Sequence, residues 1–283
     1  MAQNLQLLKR RIKTSKNIAQ IAKALEMIAA SKIKKAQIAS TNNKPYADSI
    51  TETTGKIAAS VNKKTFTHKY LTSTDREERK LLIIISPDRG LCGSLNTNLY
   101  KKMIECDSSK VKVVTVGKKA GLFASKLSFE LLSSFPMGSS LPDYSLVYQL
   151  KTLIDEQMDQ NGLTTVEILY ADFVSFFLQV PTVKHLLPLA FEETTALDPN
   201  ESSIFEPGKE AMLTELLPYY LEIQLYNALI QAFTSEQAAQ MVAMQNAKNN
   251  AFDIAEYLNL VYNKSRQERI TNEILDLANS AQI

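Results

Sequence analysis

Near the N-terminus, Leu8, Ile12, Ser15, Ala19, Ala22, Glu26, Ala29, Ile33 and Ala36 recur at alternating spacings of four and three, the heptad seam of a coiled coil. The seam is made mostly of small residues, which let backbones approach closely but bury about 1 kcal/mol less per site than leucine. A second row, Ile18, Ile21, Leu25 and Ile28, repeats on a neighbouring face, so this helix is expected to touch more than one partner. Toward the C-terminus, Ala251, Ile254, Leu258, Val261 and Ser265 make one seam, and Ile270, Ile274, Leu277 and Ala281 make a second, slightly rotated one. Asn246, Asn249, Asn250 and Asn263 interrupt the apolar face, where polar groups are expected to set register. Neither residues 1–44 nor residues 219–283 contain Gly or Pro, so nothing local stops a helix there. At about 1.5 Å per residue, the second stretch alone makes a rod of roughly 95 Å. The pattern predicts two long helices from opposite chain ends, paired antiparallel and projecting from a globular body. The alternative is a compact all-helical bundle that packs both segments internally.

Between these helices the pattern changes to α/β. Leu81 to Ser86 and Val111 to Val116 are short apolar runs that read as buried strands. Ser94 to Glu105, Lys118 to Lys126 and Tyr144 to Met158 read as helices, Val166 to Phe173 as a further strand, and Lys184 to Leu189 as an edge strand. This alternation predicts a Rossmann-like α/β domain with a mostly parallel sheet. Glu192 to Ser203 is polar and acidic and reads as a connection, with a turn at Pro199 and Asn200. The expected divisions are a coiled-coil helix over 1–60, the α/β domain over 78–190, a connection over 191–208, and a second coiled-coil helix over 209–283.

At 283 residues and 45% hydrophobic, the chain is long and apolar enough to bury a full core. No apolar run is long enough to cross a bilayer, and the N-terminus has no secretory signal pattern. Two cysteines, Cys92 and Cys106, in unlike contexts exclude a disulfide scaffold and a CxxC metal pair, which fits a reducing compartment. Net charge is only +2, but residues 1–44 carry ten Lys or Arg against the single acid Glu26. Residues 219–283 carry four basic and seven acidic residues, so the two terminal segments attract each other modestly at long range.

Chemistry is sparse. Neither GxxxxGK followed by Ser or Thr nor GxGxxG occurs, so no phosphate-cradling loop is expected. The turn DRGLCGSLN, Asp88 to Asn96, lies between strand and helix, where Gly90 and Gly93 permit a tight connection; a nucleotide role there is weakly supported. Cys92 has no sequence-adjacent His to activate it and reads as a packed residue or loop contact. Glu77, Glu78, Glu192 and Glu193 lie in charged surface stretches, and His68 and His185 are solitary. The basic N-terminal helix fits an acidic protein surface or a solvated coiled-coil face better than a nucleic acid, because aromatic residues and reader motifs are lacking. The expectation is therefore no catalytic site, no cofactor and no metal.

Several strings, in order and along the whole chain, resemble the gamma subunit of F-type ATP synthase: KALEMIAASKIKKAQ (Lys23 to Gln37), DRGLCGSLNTNL (Asp88 to Leu99), VPT and LLPL (Val180 to Thr182, Leu186 to Leu189), FEP (Phe205 to Pro207), SEQAAQMVAM (Ser235 to Met244) and VYNKSRQERITNEI (Val261 to Ile274). The resemblance implies a non-catalytic central shaft whose terminal helices form an asymmetric antiparallel coiled coil inside a hexamer of three alpha and three beta subunits. The α/β domain would lie near the membrane c-ring with the epsilon subunit, one copy per complex, with no nucleic acid bound. Rotation presents a different flank to each beta subunit, where the nucleotide chemistry takes place. The runner-up is a helical-hairpin adaptor whose basic arm binds an acidic protein surface or nucleic acid.

By match to family positions, Arg266, Gln267 and Thr271 would form a polar catch on a beta-subunit loop. Leu25 and Glu26 would lie near an acidic loop of beta, with Cys92 close to the same region and Gln240 at a further contact. The family commonly has Arg at the position of Gln240, a basic residue at that of Gln245, and TQKITKAM where Ile18 to Leu25 read IAQIAKAL, so three expected polar contacts are altered. The chain lacks the cysteine-containing insertion of the light-regulated chloroplast form and has no Arg- and Ser-rich transit segment ahead of the match. These features imply a bacterial protein, peripheral on the cytoplasmic side of the inner membrane.

Overall fold

The computed structural model describes residues 2–61, 66–71, 79–106, 111–189, 191 and 205–280. In chain order they form α1 (Ala2–Ser60), β1 (Lys80–Ile85), α2 (Leu95–Ile104), β2 (Val111–Val116), α3 (Lys118–Lys126), β3 (Glu130–Phe135), α4 (Tyr144–Asn161), β4 (Thr165–Phe173), β5 (Gln179–Leu187) and α5 (Lys209–Ser280). The two long terminal helices pack together, and both continue past the Gly- and Pro-free stretches that announce them. Pro45 lies inside α1 and Pro218 inside α5. Each proline removes one helical hydrogen bond, so tertiary burial has to hold the helix there. Ala47, Leu217 and Leu221 beside the prolines are buried. The expected connection from Glu192 to Ser203, the paired Glu77 and Glu78, and Ala281 lie outside the described residues.

The chain divides into two compact units, residues 31–239 and residues 1–30 with 240–283. In the first, the five strands are ordered β3-β2-β1-β4-β5. β1 pairs in parallel with β2 and β4, β2 pairs in parallel with β3, and β5 is antiparallel to β4. A parallel sheet needs cover on both faces, which is why KLLIII of β1 is apolar throughout. Leu81, Ile83 and Ile85 face a core built with Val147, Leu150 and Ile154 of α4 and Leu217, Leu221, Leu225 and Phe233 of α5. Leu82 and Ile84 face the other way, onto Leu95, Leu99 and Met103 of α2 and Ala120 and Ala124 of α3.

β3 is not apparent from its residues. Its sequence ELLSSF is half exposed and half polar, as an edge allows, and its pairing includes a bulge opposite Val113 and Val114. Thr115 Oγ1 donates to Ser134 Oγ at 3.0 Å, which holds the strand by its polar side. The expected edge strand at Lys184 to Leu189 is longer, begins at Gln179, and carries Pro181 on the sheet edge, where a missing donor is tolerated.

In the other unit the α1 seam is as its periodicity predicts. Ile12, Ala19, Ala22 and Ala29 are buried, and Leu8, Ser15 and Glu26 are half-buried between them. On α5 the seam follows Met244, Lys248, Ala251, Ala255, Leu258, Tyr262, Ser265 and Arg269. Ile254 is displaced from it: Ala255 is 2% exposed and Ile254 52%. Asn246, Asn249, Asn250 and Asn263 are exposed rather than in the seam, so they do not set its register. That role falls to Glu26, which accepts a 2.8 Å charged hydrogen bond from Lys248 with both side chains about a fifth to a quarter exposed. The second expected seam is also overturned, since Ile270, Ile274 and Leu277 are 48%, 61% and 70% exposed. Register explains this. Residue numbers 26 and 248 add to 274, so an antiparallel helix that starts at Ala2 has nothing to place opposite Ile274 and Leu277, beyond about residue 272, while Ile270 lies off the seam that Arg269 occupies.

Candidate functional site

The turn after β1 is built by polar groups that stitch strand ends together. Ser86 donates its N–H to Val116 O at 2.8 Å, and its Oγ accepts the N–H of Ala120 at 2.8 Å. Gly117, at φ +101, passes so close that a Cβ there would lie 1.9 Å from Ser86 O. Asp88 accepts the N–H of Lys118 at 2.9 Å and of Gly138 at 2.8 Å. A carboxylate thus already occupies the positive end of α3, and the acidic residue of DRGLCG has a structural use.

Within that turn Cys92 is 2% exposed, and its Sγ accepts from Asn96 Nδ2 at 3.3 Å. Burial pushes the thiol up from its ordinary range, and Glu236 adds to the shift, the reverse of what activates a nucleophile. Cys92 is therefore a packed residue. The turn presents Arg89 and Leu91 outward; Leu91 is 63% exposed and held at φ 70. A leucine with positive φ is costly backbone, and sequence alone carries no signal for it.

Glu236 of α5, inside the string SEQAAQM, reaches toward Ser86, Pro87, Leu95, Leu99 and Met137. Burial lifts its carboxyl from 4.5 to about 7; Lys32 opposes the shift and Asp88 adds to it. Nearby in sequence, Ser235 Oγ and Gln237 Oε1 are buried with no partner among the described residues. Reading the motif only as family signature misses this buried polar turn.

The remaining singled-out residues lie in the unit formed by residues 1–30 and 240–283. Leu25 is half-buried, while Ile18, Ile21 and Ile28 of the same row are 49%, 59% and 52% exposed. Lys9, Arg10, Arg11, Lys13, Lys16 and Lys23 are all exposed. At 3.6 residues per turn Lys9, Lys13, Lys16 and Lys23 share one basic flank of α1, and Ile18, Ile21 and Ile28 lie on another. Gln240 is half-buried. Arg266, Gln267 and Thr271 are exposed, and Thr271 Oγ1 donates to Gln267 O at 3.0 Å, so its hydroxyl is tied to its own helix. At 3.6 residues per turn these three span an arc of about 140°, and Ile270, Ile274 and Leu277 fall within it. One flank of the α5 end is thus mixed polar and apolar, and the α1 flank is basic. Such a surface binds; it holds no constellation of nucleophile, base and oxyanion donors.

A family model described as ATP synthase matches residues 4–282. The ATP synthase gamma chain of Dehalococcoides mccartyi is 38% identical over 282 residues, covering 98% of each chain. That of Ruthia magnifica is 34% identical over 277 residues, covering 95% of this chain and 96% of the other. Among solved structures, a chain of the Euglena gracilis mitochondrial ATP synthase, determined as the OSCP, F1 and c-ring assembly, superposes with a TM-score of 0.70 at 20% identity, over 100% of this chain and 95% of that one. Fold, full-length coverage and the quoted strings agree, and the chain belongs to the ATP synthase gamma chain family.

Proposed function

We propose that this gamma chain, a non-catalytic subunit of the rotor of the F1 sector, transmits torque through the unlike flanks of its paired terminal helices. The observation that carries this reading is the contrast in exposed side chains: a basic flank and a separate isoleucine flank on α1, and an α5 end where Arg266, Gln267 and Thr271 share a flank with Ile270, Ile274 and Leu277. A partner that bound all orientations equally would shift no equilibrium, so coupling needs contact energies that differ with angle. Unlike flanks supply that difference. The small-residue seam and polar exterior limit locking at any one angle.

In this reading the helices sit in a hexamer of three alpha and three beta subunits, one copy per complex, with epsilon and the c-ring as further neighbours. Arg266, Gln267 and Thr271 contact a beta-subunit loop, and Leu25, Glu26 and Gln240 lie along the same bearing. With its side chain buried, Cys92 contributes through its turn, and the outward Arg89 and Leu91 make any direct contact. The described helices include none long and apolar enough to cross a membrane, which suits a subunit held peripherally, here on the cytoplasmic side of a bacterial inner membrane. Replacing Arg266 and Gln267 together by Ala tests the reading in the reconstituted proton-driven enzyme. Loss of charge-assisted contacts is expected to lower the synthesis rate about tenfold or more while the complex still assembles. An unchanged rate in an intact complex removes the catch assignment.

A further inference from the structure

We propose that the tyrosine-lined cleft where α1, α4 and α5 meet, within residues 31–239, is a receptor for an organic cation, an alkylammonium or guanidinium group. The cleft has a volume of about 330 Å³ and is lined by Tyr46 of α1, Tyr144 and Tyr148 of α4, and Tyr219, Glu222 and Ile223 of α5. Tyr46, Tyr148 and Tyr219 are each about half exposed, so their rings are not consumed by the core. Tyr144 is fixed by stacking on Tyr226 at 4.5 Å and lies 6.1 Å from Tyr148. Tyr144 is therefore held in place at the cleft wall, with Tyr148 packed beside it.

The charge behind the rings is unbalanced. Glu222 is 6% exposed, and among the described residues its cationic contact is Lys151 at 3.6 Å. Lys151 is shared with Asp155, 3.8 Å away on the same helix face. Asp155 also accepts from Lys69 at 3.0 Å and from the Tyr70 hydroxyl, and Lys69 reaches Asp159 at 3.3 Å. Two lysines thus serve three carboxylates along this row; Asp159 at its far end is exposed, and Glu222, which lines the cleft, has only a share of Lys151. Burial acts against the ionised form of Glu222, and Lys151 only partly offsets it. A cation entering from the cleft supplies the missing compensation, and the ring faces attract it in their own right. The same features reject other ligands: an anion meets the Glu222 carboxylate, and a divalent metal finds that one carboxylate and neutral phenols where it needs several charged oxygens.

The cationic group has two sources, a free amine or a lysine or arginine side chain of another subunit. The chain has eleven tyrosines, four of them in the cleft, and no tryptophan, so a change in tyrosine fluorescence of the full-length protein that Tyr148→Leu diminishes reports on the cleft. Titration with tetramethylammonium chloride at constant ionic strength is expected to give a saturable change that neopentyl alcohol, its neutral counterpart in shape, does not. Tyr148→Leu and Glu222→Gln are each expected to weaken the apparent affinity about tenfold. The exposed position of Tyr148 keeps that variant folded even if Glu222→Gln is not. Equal responses to cation and alcohol, no saturation, or an unchanged affinity in Tyr148→Leu would overturn the proposal. Repeating the titration on the assembled complex separates the sources: a response lost on assembly means a neighbour's side chain fills the cleft, and a response retained means it takes a free amine.

Discussion

Replacing Glu236 by Gln tests the packing between α5 and the turn after β1. In the folded chain this carboxyl titrates near 7 against an ordinary 4.5, chiefly because burial disfavours its charge, with Asp88 adding to the shift and Lys32 reducing it. A difference of about 2.5 units at about 1.36 kcal/mol each makes roughly 3 kcal/mol. The sign follows from where the proton is held more tightly. The folded state keeps it to higher pH than the unfolded state, so this residue's contribution is fully present below about 4.5 and is lost as pH rises through about 7. Since the side chain retains a rim of solvent, the loss is expected at about 2–3 kcal/mol. Glutamine carries no charge to bury. Urea unfolding followed by circular dichroism should find parent and variant within about 1 kcal/mol of each other at pH 5, with the variant about 2 kcal/mol more stable at pH 8. A stability difference between the two proteins that does not change with pH would refute the reasoning, because every other titrating group is common to both.

Two further outcomes follow from the same region. Gly117→Ala places a methyl group 1.9 Å from the Ser86 carbonyl oxygen at a φ of +101, so β1 and β2 must part; a loss of about 3 kcal/mol or more in urea unfolding is expected, and a loss under about 1 kcal/mol would show that the strands yield easily. Cys92, with its thiol buried and pushed up, is expected to react with a disulfide reagent at pH 8 only as fast as the fold opens, and in urea at once; native labelling at the unfolded rate would contradict its burial.

Heptads and strand periodicity are visible in this chain because burial imposes them residue by residue. Ala19, Ala22 and Ala29 are small where backbones meet, and LLIII of β1 is apolar on both sides because helices cover both faces of the sheet. What is hidden is whatever depends on a partner at a distance. Ile254 and Ala255 are both acceptable seam residues, and only the register set by Glu26 and Lys248 decides between them. β3 is obscured because an edge strand imposes few demands on its side chains. The same holds for the singled-out surface. Arg266, Gln267 and Thr271 are legible only through family resemblance, since an exposed polar triplet looks like any solvated helix face. Cys92 is legible as a packed residue, but the outward turn of Leu91 depends on a backbone angle that no spacing reveals.

The exposed isoleucines on α1 and at the end of α5 carry a consequence for the cell rather than for the motor. A copy without neighbours to cover Ile18, Ile21, Ile28, Ile270 and Ile274 displays adhesive apolar side chains to whatever surrounds it. A surplus of this chain over its neighbours is therefore expected to self-associate, and a stiffer fold would leave that hazard in place.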